Sequence, residues 1–206
     1  MVKGTSEFDL GEPYKMRSAP LPHILREALL EIIGSEGVEL VWHHAGWSSA
    51  ESLSAGNLGQ MESALVDVFG MAAGSGLSLR VGRAAFNHLI RQMGTEMGLL
   101  ELDFRLQHAR LRIRMGLERL SEVLLTPIGF MCVLEEQPDC WNWTLQAIQP
   151  CAPFNGHHFP IYFLKGLLQE YFAWSSGGKI YLVECQKIEA ADSLVFSFYV
   201  NKQPLE

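Results

Sequence analysis

The sequence predicts an α+β domain, and three observations predict it. Apolar residues recur at three- and four-residue spacing through most of the first 125 positions, the period of helices with one buried face. Two later stretches, 129–148 and 179–200, carry β-favouring aromatic and branched residues around short turn signals. A single further helical pattern stands between them. Helices first and strands later, with one late helix interposed, is the order expected of a helical first half packed on a small antiparallel sheet. The chain has 206 residues, 48% of them hydrophobic and 19% charged, the size of one domain with enough apolar surface to offset the entropy of ordering it.

Taken in order, residues 1–19 mix Gly, Pro and both charge signs and read as a flexible N-terminal arm, so the domain itself is expected over 20–206. After Pro20 and Pro22, the spacing of Ile24, Leu25, Ala28, Leu29, Ile32 and Ile33 predicts an amphipathic helix that stops at Gly34. The stretch 38–56, with VWHHAGW and a Ser-rich run, reads as an irregular or short-helical connection. Leu58, Met61, Leu65, Val68, Phe69 and Met71 predict a second helix that Gly70, Gly74 and Gly76 interrupt. Val81, Ala84, Ala85, Leu89 and Met93 predict a third, ending near Gly94 or Gly98. Residues 99–125 read as one long helix, or two joined, with Leu106, Ala109, Ile113, Leu117, Leu120 and Leu124 on one face and Pro127 closing it. GFMCVLEE, QPD and CWNWTLQAI then predict a hairpin. Beyond the Pro-rich QPCAPFNGHHFP, a helix over 162–174, an SSGG turn and two strands, KIYLVECQ and SLVFSFYV, complete the domain.

Charge limits the partners. With 16 basic and 23 acidic residues the net charge is −7, so nucleic acid is not an expected partner. The arginines are nonetheless concentrated, because eight of the ten lie in residues 80–119 against four acids. Arg105, Arg112 and Arg119 are seven apart and Arg110 and Arg114 four apart, which on a continuous helix makes two neighbouring basic sides. The ordinary reading is a solvated face; the functional one is a surface for propionate or phosphate groups, an acidic partner or anionic lipid. No stretch reaches the roughly 20 apolar residues that span a bilayer, and the first thirty lack a secretory signal, so a cytoplasmic location is expected.

Few residues carry the signature of chemistry. Cys132, Cys140, Cys151 and Cys185 form no CxxC pair and read as plain thiols. His43 and His44, between Trp42 and Trp47, and His157 and His158 in the Pro-rich loop could serve a metal or the metal of a tetrapyrrole. Adjacent side chains diverge on any regular element, so ordinary hydrogen-bonded histidines are the first reading. The GMAAGSG cluster reads as a helix end or a close backbone contact rather than a phosphate cradle. There is no dinucleotide fingerprint and no cysteine spacing for an iron–sulfur cluster, so catalysis by this chain alone is not expected and no catalytic residue is assigned.

Residues 160–200, PIYFLKGLLQEYFAWSSGGKIYLVECQKIEAADSLVFSFYV, resemble the end of a 4-vinyl reductase domain, and LSLRVGRAAFNHLIRQMG resembles that family's Gly-Arg helix, so the likeness spans about 21–200. The resemblance implies a fold related to the TRAPP vesicle-tethering subunits, a homo- or heterodimer of such chains, and a cavity for a small hydrophobic molecule between helices and sheet. On the elements that would face this cavity stand Trp42, Trp47, Phe86, Phe104, Trp141, Trp143, Phe163 and Tyr171, with Arg105 and Arg112 available to a ligand's anionic groups. The function it implies is non-catalytic binding of a tetrapyrrole or chlorophyll precursor in pigment handling or photosynthetic complex assembly, in the cytoplasm or peripherally at a photosynthetic membrane. Alternatives under the same resemblance are a TRAPP-like scaffold without ligand and an auxiliary subunit of a vinyl reductase. The family's zinc ligands would fall on Ile161 or Tyr162, on Cys185 beside Glu184, and on Ile188 and Phe196. At most two donors remain where zinc requires four, so no zinc is expected and Phe196 and Ile188 are expected to pack in its space.

Overall fold

A computed structural model describes residues 21–47, 55–147, 159–190 and 193–205. The proposed arm at 1–19, the Ser-rich run after Trp47 and most of the Pro-rich loop, including Cys151, His157 and His158, lie outside these residues. Among the described residues six α-helices and four strands follow one another: α1 (Leu21–His44), α2 (Ala55–Phe69), α3 (Met71–Met93), α4 (Leu102–Leu106), α5 (Ala109–Leu120), β1 (Phe130–Glu136), β2 (Cys140–Ala147), α6 (Ile161–Ser176), β3 (Val183–Ala190) and β4 (Ser193–Asn201). The α+β class read from the sequence is therefore the class observed.

The sheet is antiparallel throughout with order β1-β2-β4-β3, so the two predicted hairpins join through β2 and β4. Trp143 stands opposite Leu134 on one side and Phe198 on the other, and Phe198 stands opposite Cys185. Because side chains alternate between faces, Trp141, Trp143, Leu145, Phe196, Phe198 and Val200 all turn toward the helices, where each is buried. Thr144 and Ser197 share the opposite face, their hydroxyls 2.6 Å apart.

α3 and α6 form the closest helix pair. A Cβ added at Gly82 would meet the carbonyl of Phe163, and one added at Gly166 would meet the carbonyl of Leu79. The two glycines thus let backbone approach backbone, and the crossing fixes where the first turn of α6 lies against α2 and the sheet.

Several boundaries differ from the sequence reading for definable reasons. α1 does not stop at Gly34: that residue adopts φ 70°, ψ 176° and kinks the helix, which then resumes through VWHH to His44. The glycine cluster after α2 does not end a helix region. Only Gly70, at φ 83°, separates α2 from α3, and Gly74 lies inside α3 against the α2 backbone. The long helix predicted over 99–125 is broken at Gln107 and His108, giving α4, α5, a π-helical turn (Ser121–Leu125) and a 3₁₀ turn (Thr126–Ile128). Of its proposed buried face, Leu106 is 73% exposed, whereas Ile113, Leu117, Leu120 and Leu124 are buried. The break also divides the arginine row. Arg105 belongs to α4 and Arg112 and Arg119 to α5, and Arg110, Arg114 and Arg119 pair with Glu136, Glu118 and Glu122. Ile188 and Phe196 do not pack together either: Lys187 is the residue opposite Phe196, so Ile188 points to the other face and is 40% exposed.

Candidate functional site

α2 places one carboxylate in the interior. Glu62 is buried, and its Oε2 accepts the Ser78 hydroxyl at 2.7 Å and the Phe163 N–H at 2.9 Å, while Oε1 accepts the Tyr162 N–H at 3.3 Å. Pro160 precedes α6 and offers no side-chain cap, so a residue from another helix satisfies the first N–H groups of α6. Burial pushes the Glu62 carboxyl above its ordinary range, against the opposing pull of these hydrogen bonds.

Beside Glu62 opens a cavity of about 400 Å³, open to one side, at the corner where α2, α3 and the start of α6 meet β3 and β4. Phe159 and Phe196 form one wall, stacked with ring centroids 3.9 Å apart and an interplanar angle of 19°. Val66, Met71 and Ile161 add apolar surface. The polar groups are Ser63, Ser75, Lys187 and Tyr162. Ser63 Oγ is buried without a hydrogen-bond partner, and Ser75 Oγ has only the Met71 sulfur at 3.9 Å. Lys187 projects from the helix-facing side of the edge strand.

The residues proposed from sequence as ligand walls stand elsewhere, in three groups with Phe163 apart, and none lines this cavity. Trp42 and Trp47 meet edge to face at 5.1 Å at the end of α1, with Trp47 Nε1 donating to Gln60. Phe86, Phe104 and Tyr171 gather around Trp174, with centroid distances of 5.9, 6.1 and 6.5 Å to its ring. Trp141 packs on Phe172, and Trp143 donates its Nε1–H to Ser121 at 3.0 Å. Phe163 is fully buried. Arg112 donates to the carbonyl of Arg105 at 3.1 Å, so these two residues address each other. The sequence reading missed Glu62, Ser63 and Lys187. The available signal was a lone Glu among the apolar positions of α2, at the spacing that faces the core.

No family model matches this chain, and no curated protein matches it. Solved structures do. A structure from work on modulating haem redox potential through porphyrin distortion superposes with a TM-score of 0.60 at 11% identity, over 92% of this chain and 97% of that one. An oxygen-bound H-NOX domain related to soluble guanylate cyclases gives 0.57 at 10% identity, over 92% and 97%. The unliganded Fe(II) H-NOX protein from K. algicida gives 0.54 at 14%, over 90% and 98%. The chain has the fold of H-NOX domains. This overturns the resemblance to 4-vinyl reductase and TRAPP-type domains and the chlorophyll-biosynthesis reading with it, and it lends no support to pigment handling or a photosynthetic membrane. A helix, a glycine turn and a closing hairpin arise from ordinary cap and turn chemistry, so their order did not single out a family.

Haem-binding neighbours raise the question of whether these residues would hold a haem, which needs a flat slot and an axial donor facing it. Against α5, Tyr171 is fully buried, its hydroxyl donates to the carbonyl of Arg112 or Ile113 at 2.8 Å, and its ring lies against Gly116. His108 Nδ1 accepts the Leu111 N–H as the cap of α5, His88 Nε2 is 2.9 Å from Glu31, and His44 faces Asp67 at 3.7 Å. Among the described residues, no group of three or more His, Cys, Asp or Glu stands together, and none of the residues lining the cavity is a histidine or cysteine. This cavity therefore offers a haem neither a histidine nor a cysteine as axial donor. Among the described residues, too, no helix is long and apolar enough to cross a membrane.

Proposed function

We propose that the chain is a non-catalytic binding domain that takes a small molecule with an apolar body, smaller than a porphyrin, in the cavity beside Glu62. The observation that carries this reading is the apolar cavity of about 400 Å³ whose lining includes the partnerless Ser63 hydroxyl. A concave, mostly apolar site with a few polar groups is the usual make-up of a small-ligand pocket, and about 400 Å³ lies within the usual range. A buried hydroxyl without a partner is costly in the free protein and gains a partner from an occupant. The fold supports the reading in a coarser way, since its solved neighbours are named for haem and oxygen. Glu62 is not offered as a general base, because its lone pairs are already engaged by α6 and Ser78.

Ligand-observed NMR of aromatic fragments against the full chain tests the proposal. Fragments are expected to bind, and Val66→Trp, which fills the cavity, is expected to abolish their signals while the thermal unfolding transition stays cooperative. Fragment binding unchanged by Val66→Trp and by Ser75→Leu overturns it. Titration with haemin is expected to give no sharp Soret band; a stoichiometric one would overturn the size limit.

A further inference from the structure

Resting on the cavity reading above, we propose that the occupant is a monocarboxylate, a small aryl or alkyl acid whose anionic end meets Lys187 and whose body lies against the apolar lining of the cavity. Three observations lead there. The groups with unused capacity can each donate, and one of them can do nothing else: the Ser63 hydroxyl has no partner, the Ser75 hydroxyl has only a thioether, and the exposed Lys187 ammonium has no carboxylate partner among the described residues, the two hydroxyls being able to accept as well. An ammonium can donate but never accept, so it selects an acceptor-rich end group over an amine or an amide N–H.

The second observation is the neighbouring charge. Glu62 forms part of the same cavity and is held by fixed hydrogen bonds. A dianion such as a phosphate monoester would bring two further negative charges close to it, whereas a carboxylate brings one. The third is the lining, since Val66, Met71 and Ile161 beside the buried ring pair give the body of such an acid apolar surface to lie against. An inward-facing lysine on an edge strand also discourages edge-to-edge pairing. That role needs no ligand, and the experiment separates the two.

The full chain is titrated calorimetrically with 2-naphthoate and with 2-naphthamide, which share the ring system and differ in charge. The acid is expected to bind at least ten-fold tighter than the amide, with an advantage that shrinks as salt is raised. Lys187→Met, which keeps the apolar stem, is expected to cut the acid's affinity about ten-fold more than the amide's, and Lys187→Arg to retain the preference. Val66→Trp and Ser75→Leu are expected to weaken both probes. Equal binding of acid and amide, or equal loss of both in Lys187→Met, overturns the carboxylate assignment and leaves the cavity reading standing. Acid binding that ignores Val66→Trp and Ser75→Leu places the ligand elsewhere and overturns the assignment. Failure of both probes to bind the wild-type chain overturns both readings.

Discussion

The carboxylate of Glu62 accepts the N–H of Phe163 at 2.9 Å across 101 positions of sequence, tying α2 to the first turn of α6. Tyr162 donates to the same carboxylate, and the Ser78 hydroxyl links it to α3. Three helices therefore converge on one side chain. Glu62→Ala would leave these donors buried and unpaired, and is expected to cost about 2–3 kcal/mol. In urea this appears as a lower midpoint with an unchanged slope. Glu62→Gln keeps an accepting oxygen and is expected to lose about half as much.

The same residue gives stability a pH dependence of predictable sign. Its folded-state pKa is raised above the ordinary value of 4.5 by burial. A carboxyl raised on folding favours the native state while it is protonated in both states, below about 4.5, and that contribution is lost as pH climbs through the folded-state value. Glu136 acts oppositely: hydrogen bonds from Lys202 and Arg110 hold it below 4.5, so its contribution is present above 4.5 and lost as pH falls through the folded-state value. Stability curves of wild type and Glu62→Gln, measured in urea from pH 4 upward, are expected to differ by a decline with pH that only the wild type shows. Parallel curves would contradict the assignment of that decline to Glu62.

Gly82 and Gly166 make a second, steric prediction. An alanine at Gly82 would drive its Cβ into the carbonyl of Phe163 and the backbone N of Leu167, and main-chain atoms cannot rotate aside. The expected cost of Gly82→Ala is about 3 kcal/mol, the upper end of ordinary overpacking. Because the same crossing positions α6 against the cavity, probe binding should weaken along with the melting temperature. An equal Tm for Gly82→Ala and wild type would mean that the two helices separate freely.

Tyr171 and Gly116 form a third pair. A Cβ at Gly116 would strike the Tyr171 hydroxyl and ring edge, and the hydroxyl donates to carbonyls of α5. Tyr171→Phe is expected to cost about 1 kcal/mol, the net worth of one hydrogen bond. Gly116→Ala should cost more, and the double variant less than the sum, because removing the hydroxyl relieves part of the clash. A double-mutant cycle by urea denaturation measures the coupling, and strict additivity would show that the ring and α5 do not press on each other.

These pairs mark what could be read in the sequence. The hairpin over 130–147, the late helix and the closing strands were legible because each is a local matter of period and turn residues: Gly177 at φ 80° ends α6 where SSGG predicted a turn. The α1 kink was not, because a glycine that stops one helix also lets two helical segments join, and Val38 and Val41 must be seen buried to decide between them. The site was harder still. The aromatic and arginine positions named from the family resemblance stand apart from this cavity, their aromatic rings packed mainly on one another and on Phe172 and Trp174. Glu62, Ser63 and Lys187 meet only because β4 pairs with β2 and brings β3 to the sheet's edge, a juxtaposition with no local signal.

The thiols give a final prediction that joins burial to the same charge. Burial pushes Cys132 up to about 11, with the Ser121 hydroxyl opposing, and pushes Cys185 to about 11, where Lys165 lowers it and Glu62 raises it further. The thiolate is the reactive form, so at pH 8 both should alkylate roughly a hundred-fold more slowly in the folded chain than in urea. Glu62→Gln removes one of the two charges acting on Cys185 and none acting on Cys132. Peptide mass spectrometry after timed iodoacetamide treatment should therefore show Cys185 speeding up in that variant while Cys132 keeps its rate. Equal acceleration at both would mean that the substitution loosens the domain as a whole, and that Glu62 acts on Cys185 through packing rather than charge.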